Sequence, residues 1–251
     1  MKVTAIIPAR YASTRFPGKP LAKIAGKAMI QHVYERVQTC PSITETIVAT
    51  DDQRIFSFVQ SFGGRVIMTA DTHKSGTDRI AEVAHELSDT DIIVNVQGDE
   101  PFISTQQLQQ LIALFKNKEV QIATLARPID SLEDIHNPNV VKVIFNANHQ
   151  AQYFSRSAIP FLRDVAAENW LDKKEHYQHL GLYAYRKEVL LAISQLPPSK
   201  LERLESLEQL RWLESGYTVY LAITKEKAIG VDTPEDLKKA EKAIQLFGGE
   251  K

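Results

Sequence analysis

Apolar residues in this chain fall into short continuous runs separated by stretches of helical period. Val3 to Pro8 reads as a buried strand, after which Met29, Ile30, Val33 and Val37 recur at helical spacing. Thr46 to Thr50 gives a second strand, a helix around Ile55 to Phe62 stops at Gly63-Gly64, and Arg65 to Met68 is a third strand. Residues 76 to 87 form a helix with Ile80, Val83, Ala84 and Leu87 on one face. Asp91 to Gln97 holds Ile92-Ile93-Val94 and Val96, the nearly unbroken apolar run of a parallel strand covered on both sides. Leu108, Leu111, Ile112 and Phe115 mark another helix, and Val120 to Ala126 another strand.

This alternation predicts right-handed βαβ units, hence an α/β fold with a doubly wound, mostly parallel sheet. Ligands of such sheets bind beyond the carboxyl ends of the strands. From about residue 139 the rhythm changes. Val140 to Phe145 and Gln152 to Arg156 are β-rich runs joined by Asn146-Ala147-Asn148-His149, a hairpin signal, and His179 to Tyr185 adds a further strand. The expectation is one domain over 1–251 with an antiparallel excursion at about 139–190. Helices return at 203–214, with Leu204, Leu207, Leu210 and Leu213, and at 234–247, where Thr233 is the cap, Pro234 the first position and Gly248-Gly249 the stop.

Composition narrows the class. With 251 residues, 43% hydrophobic and 24% charged, the chain buries a core without staples, and its single cysteine, Cys40, cannot close an intrachain bridge and fits a reducing compartment. No stretch reaches the ~20 apolar residues of a spanning helix, and Met1-Lys2-Val3 opens directly into strand-like sequence with no cleavable leader. A soluble, cytoplasmic protein is expected. The net charge of -1 argues against a general binder of nucleic acid or anionic membranes. Its distribution is uneven: residues 1–34 carry Lys2, Arg10, Arg15, Lys19, Lys23 and Lys27 and no carboxylate.

Three of those cations fall in the loop after the first strand, Pro8-Ala9-Arg10-Tyr11-Ala12-Ser13-Thr14-Arg15-Phe16-Pro17-Gly18-Lys19-Pro20-Leu21. Main-chain N–H groups and Arg forks can wrap a polyphosphate there, with Lys as a point charge. Neither a P-loop nor a G-x-G-x-x-G dinucleotide motif occurs. After the fourth strand, Gln97-Gly98-Asp99-Glu100 sets a carboxylate where it can hold Mg²⁺ against phosphate oxygens, although a lone Gly-Asp also caps turns. Asp232, between strand-like residues and a helix, is balanced between a metal role and assisting the Thr233 cap. His73-Lys74-Ser75-Gly76-Thr77-Asp78-Arg79 opens a helix whose free N–H groups suit phosphate or a base carbonyl. His176 and His179 lack a third soft ligand for zinc. Glu205, Glu208 and Arg211 pass as a solvated helix face.

Taken together, PARYASTRFPGKPL, HKSGTDR, NVQGDEP, NPNVVKV, YFSRSAIP, HLGLYAYR, LERLESLEQLR and GVDTPEDL, in this order from residue 3 to about 240, resemble the 3-deoxy-manno-octulosonate cytidylyltransferase (CMP-Kdo synthetase) family. The resemblance implies a nucleotide-diphospho-sugar transferase-like sheet. It also implies Mg²⁺-dependent transfer of CMP from CTP to the anomeric hydroxyl of Kdo, an eight-carbon acidic sugar, for lipopolysaccharide synthesis. A homodimer paired through the antiparallel excursion is implied too. Position by position it puts Arg10, Ser13, Arg15 and Lys19 on the triphosphate. Ser75, Gly76, Thr77, Arg79 and Gln97 fall on the nucleotide, and Asp99 and Asp232 on magnesium. Arg156, His179, Tyr183, Glu208 and Gln209 face the sugar, with Tyr185 a weaker candidate. Lys19, Arg10 and Asp99 are the expected catalytic groups. Phe16, Asp78 and Gln178 depart from the family's usual residues, and Phe161 to Tyr177 is dissimilar.

Overall fold

The computed structural model describes residues 1–12, 16–227, 230–231 and 233–247. It groups into two compact units, residues 1–108 with the C-terminal segment from 228 on, and residues 109–227.

In the first unit the strands are β1 (Val3–Ala9), β2 (Lys23–Ile24), β3 (Lys27–Ala28), β4 (Glu45–Thr50), β5 (Val66–Met68) and β6 (Ile92–Asn95). The order β6-β1-β4-β5 is parallel throughout, while β2 and β3 form a small antiparallel pair. Helices α1 (Met29–Gln38), α2 (Gln53–Ser61) and α3 (Gly76–Glu86) connect them, and α4 (Thr105–Ala113) follows β6. Val3, Ala5, Ile6 and Ile7 of β1 and Ile92, Ile93 and Val94 of β6 are buried, so hydrophobic run and strand coincide where both faces are covered. The chain leaves β1 toward β4 and returns on the other side as β6. That makes the carboxyl ends of β1 and β6 a topological switch point, where a crevice opens in such sheets.

The second unit holds β7 (Ile122–Pro128), β8 (Lys142–Phe145), β9 (Ala151–Ser155), β10 (Tyr177–Arg186) and β11 (Val219–Ile223). β11 lies parallel to β7, whereas β10–β7 and β10–β8 are antiparallel, as is β8–β9, the pair that the hairpin signal at 146–149 requires. Short helices α5 (Leu132–His136), α6 (Trp170–Lys173) and α7 (Lys187–Ile193) were not legible as periodic runs. The helix expected over 203–214 is two, α8 (Lys200–Glu205) and α9 (Gln209–Glu214), broken at Ser206 with φ 52° and ψ 49°. That break leaves Leu204 exposed at 71% while Leu207 and Leu210 are buried, so the four leucines do not share one stripe.

Back in the first unit, α10 (Pro234–Phe247) has its predicted N-terminus: Thr233 Oγ1 accepts from Asp236 N at 3.2 Å, and Asp236 Oδ2 accepts in return from Thr233 N at 3.2 Å. Leu237 and Ala240 pack with Val231 against Ile24 and Met29. The expected stop, Gly248-Gly249, lies outside the described residues. Among the described residues no helix is long and apolar enough to cross a membrane.

Candidate active site

At the β1/β6 switch point lies a cavity of about 380 Å³. β1 contributes Pro8 and Ala9, with Arg10 following; the turn after the loop brings Lys19 and Pro20; the approach to α3 supplies His73, Lys74, Ser75, Gly76 and Arg79; and β6 leads into Gln97, Gly98 and Asp99. Of the expected nucleotide residues, Arg10, Lys19, Ser75, Gly76, Arg79 and Gln97 therefore line one pocket with Asp99. Thr77 is buried in the first turn of α3. Ser13, Arg15 and Asp232 lie outside the described residues.

Local chemistry explains how these groups are set. Gly18 takes φ 71°, and its N–H donates to Tyr11 O at 2.9 Å, closing the loop on itself. A Cβ there would stand 3.0 Å from the Tyr11 ring, so only glycine fits both the turn and the contact. The 3-10 turn Lys19–Leu21 then begins, and Lys19 Nζ donates to Asp99 Oδ2 at 2.7 Å. A Cβ on Gly98 would lie 3.0 Å from Pro8 O, which is why the residue before Asp99 is bare. Val231 N donates to Asp99 O at 2.9 Å, fixing the backbone of Asp99 from a second side. Beside it, burial, followed by the charge of Asp99, pushes the Glu100 carboxyl up to about 7.

Two expected binders also have structural duties. Ser75 is the N-cap of α3, its Oγ accepting from Asp78 N at 3.1 Å and the Asp78 carboxylate answering to Ser75 N at 3.2 Å; the aspartate at this position serves the cap. Arg79 is buried and donates to Thr69 Oγ1 and to Asp51 Oδ2, the latter at 2.7 Å. Its guanidinium is thus anchored to the ends of β4 and β5, and its place in the pocket wall is rigid. His73, Lys74, Pro20 and Gly98 are lining residues that motif reading did not assign. His73 is held by Glu82 nine residues on, a pairing that no helical or strand period announces.

Around Asp99 the donor set is hard oxygen with cations opposite, and among the described residues no three His, Cys, Asp or Glu converge on a point. A carboxylate of this kind fits magnesium, which is commonly held by one or two carboxylates plus substrate phosphates.

The expected sugar residues form their own group in the second unit. β10 carries a bulge between Leu180 and Tyr183, so His179 opposes Ala126 and Tyr183 opposes Thr124, bringing the two rings to 5.3 Å. Thr124 Oγ1 donates to Leu182 O at 2.9 Å or Leu180 O at 3.1 Å, carbonyls displaced by the bulge. Its single proton being committed, Thr124 accepts from His179 Nε2–H at 3.0 Å, which leaves Nδ1 of the neutral ring as an acceptor. Burial lowers the His179 pKa to about 3. The Tyr183 phenol is held far above its ordinary value by burial, then by Tyr185 and Glu208. Tyr185 is wholly buried and stacks on Tyr183 at 5.9 Å and edge-on to Trp212 at 5.6 Å. Its placement is that of a core aromatic backing Tyr183. Glu208 stands at the N-cap of α9, with Gln209 buried beside it.

Arg156, expected to face the sugar, also has a structural duty. Nε donates to Glu205 O at 2.7 Å, Nη1 to Pro138 O at 2.9 Å and Nη2 to Ser206 O at 3.3 Å, so its fork ties three main-chain carbonyls.

The His179 environment carries a stability prediction. A ring protonated at about 3 in the fold and near 6.5 when unfolded binds fewer protons native than unfolded between those values. Its share of stability is complete above ~6.5 and is lost as pH falls, by about 1.4 kcal/mol per pH unit at most. Urea midpoints measured from pH 7 to 4 should fall less steeply for His179→Gln than for wild type. Equal slopes would show that the ring is solvated.

The Cytidylyltransferase family matches residues 4–229 of this chain. The chain is 53% identical over 245 residues to 3-deoxy-manno-octulosonate cytidylyltransferase of Parabacteroides distasonis, covering 96% of this chain and 97% of that one. It is 53% identical over 239 residues to the protein of the same name from Cytophaga hutchinsonii, covering 94% and 95%. A solved structure of CMP:2-keto-3-deoxy-manno-octonic acid synthetase complexed with CTP matches with a TM-score of 0.92 at 43% identity, over 98% of this chain and 100% of that chain.

Proposed function

This chain belongs to the 3-deoxy-manno-octulosonate cytidylyltransferase family, and we infer from that premise that it transfers CMP from CTP to the anomeric hydroxyl of Kdo, releasing pyrophosphate. The observation that carries the reading is the Lys19–Asp99 contact of 2.7 Å inside the β1/β6 cavity. It joins a phosphate-seeking cation to a metal-seeking carboxylate at the place where an α/β sheet binds nucleotides.

Asp99, together with Asp232, would hold magnesium, which when bound lowers the pKa of a hydroxyl and offsets phosphate charge. Arg10, exposed at the pocket rim, takes triphosphate oxygens in a planar fork. Lys19 meets charge that grows on the phosphoryl and departing pyrophosphate oxygens as the sugar oxygen attacks the α-phosphorus in line. The bond from the α-phosphorus to the bridging oxygen breaks as the new P–O bond forms, and the proton of the sugar hydroxyl leaves to solvent or pyrophosphate. No enzyme-bound covalent intermediate is needed. On the acceptor side, neutral His179 offers Nδ1 to a sugar hydroxyl, and Tyr183, Glu208 and Gln209 present groups suited to a polyol chain. A cytoplasmic homodimer paired through the antiparallel stretch at 139–190 completes the proposal, in which an edge strand offers unpaired main-chain groups to a second copy.

Pyrophosphate release with CTP and a panel of acceptors tests the reading. Kdo should support turnover, whereas nine-carbon sialic acid and aldose 1-phosphates should not, since each buried polar group left unpaired costs about 1–3 kcal/mol. Efficient turnover of sialic acid would move the acceptor specificity away from these residues.

A further inference from the structure

Between α8 and α9 the chain does something its sequence does not require. The leucine spacing would let one helix run from 203 to 214, yet Ser206 sits at φ 52°, a region costly for a residue with a Cβ. Something must hold it there. The Glu205 carboxylate accepts from Ser155 Oγ at 2.7 Å and from Arg156 N at 2.9 Å, at the end of β9. Arg156 answers with donations to the carbonyls of Glu205 and Ser206. Its own carbonyl accepts from Lys142 Nζ at 2.7 Å, and the same ammonium donates to Asn137 O at 2.8 Å and Val140 O at 2.6 Å. Three N–H bonds meet three carbonyls around a side chain with 0% exposure, so the anchor is charged, saturated and immobile. On the far side Arg211 grips Glu202 through Nε at 2.8 Å and donates to Leu196 O at 2.9 Å, locking α9 to α8 across the turn.

We propose that Glu205 is a positioning residue for the acceptor sugar: its carboxylate, clasped reciprocally with Arg156 on the Lys142 anchor, holds the Ser206 turn that aims Glu208 and Gln209. This rests on the reading of Glu208 and Gln209 as sugar-facing. Without the clasp, Ser206 relaxes toward helical backbone, and each residue entering the helix turns those after it by ~100° about its axis. Glu205 touches no reacting atom in this account, and a solvated helix face would not explain its two bonds to β9.

The test compares Glu205→Ala, Gln209→Ala, their double variant, and Glu205→Ala combined with Ser206→Gly, measuring KM for Kdo and for CTP separately. Glu205→Ala should raise the Kdo KM about tenfold with the CTP KM within about twofold, as for loss of one well-placed contact. The double variant should be no worse than the larger single, because both changes act through one group. Ser206→Gly, which accepts the left-handed backbone without strain, should recover part of the loss. Where Glu205→Ala does not fold, Glu205→Gln, which keeps shape and removes charge, carries the same comparison. An unchanged Kdo KM in the Glu205 variant beside a raised one in Gln209→Ala overturns the positioning role. Additive effects, equal rises in both Michaelis constants, or no recovery by Ser206→Gly do so as well. A silent Gln209→Ala overturns the sugar-facing reading first, and the positioning role with it.

Discussion

Asp99→Asn should lower kcat by on the order of 10²–10³-fold while leaving the fold intact, the scale of losing one well-placed charge stabiliser. The side chain is 30% exposed at the end of β6 and contributes to no hydrophobic cluster, so an isosteric amide disturbs little packing. What changes is charge. The amide can neither neutralise Lys19 at 2.7 Å nor serve as a full anionic ligand, and Asp99 is the carboxylate among the described residues that line the cavity with Arg10 and Lys19. Turnover under chelator-buffered magnesium, with circular dichroism as the folding control, checks this. Full activity would remove Asp99 from the metal role.

Lys19→Ala should cost about 10²-fold in kcat and leave the Michaelis constant for CTP nearly unchanged. Arg10 lies in the same pocket, and the N-terminus of α3 is close enough for Gly76 and Ser75 to line it, so a bound triphosphate has other donors in the ground state. Lys19 is different because it comes from a turn fixed by Gly18 and is held against Asp99, where charge develops during transfer. Steady-state kinetics with CTP varied at saturating Kdo separates the outcomes. A raised KM with unchanged kcat would make Lys19 a uniform binder.

The first unit was legible because both periods were clean. Ile92-Ile93-Val94 has 0% exposure at each position, and a strand covered on both faces writes itself as an apolar run. The pocket followed from the same reading, since Arg10, Lys19, Gln97 and Asp99 come just after strands whose order fixes the switch point. The second unit was less legible where tertiary bonds override local preference. Nothing at Leu204 or Leu207 announces the break at Ser206, because the force that makes it comes from Ser155 and Arg156, about fifty residues away. At Arg156, likewise, residue type gives a cation, and only the fold shows that three of its five N–H groups meet main-chain carbonyls. The bulge that pairs His179 with Tyr183 had one signal, the lone Gly181 inside an apolar strand run, which weakens regular pairing there.

Direct nucleotidyl transfer from CTP to the sugar is tested most directly by phosphorus NMR of the complete reaction. With CTP, Kdo and magnesium, one phosphodiester resonance and one pyrophosphate should appear for each Kdo consumed, neither forming when Kdo or magnesium is left out. Pyrophosphate released without Kdo, release of inorganic phosphate in its place, or a nucleotide retained covalently on the protein would contradict it.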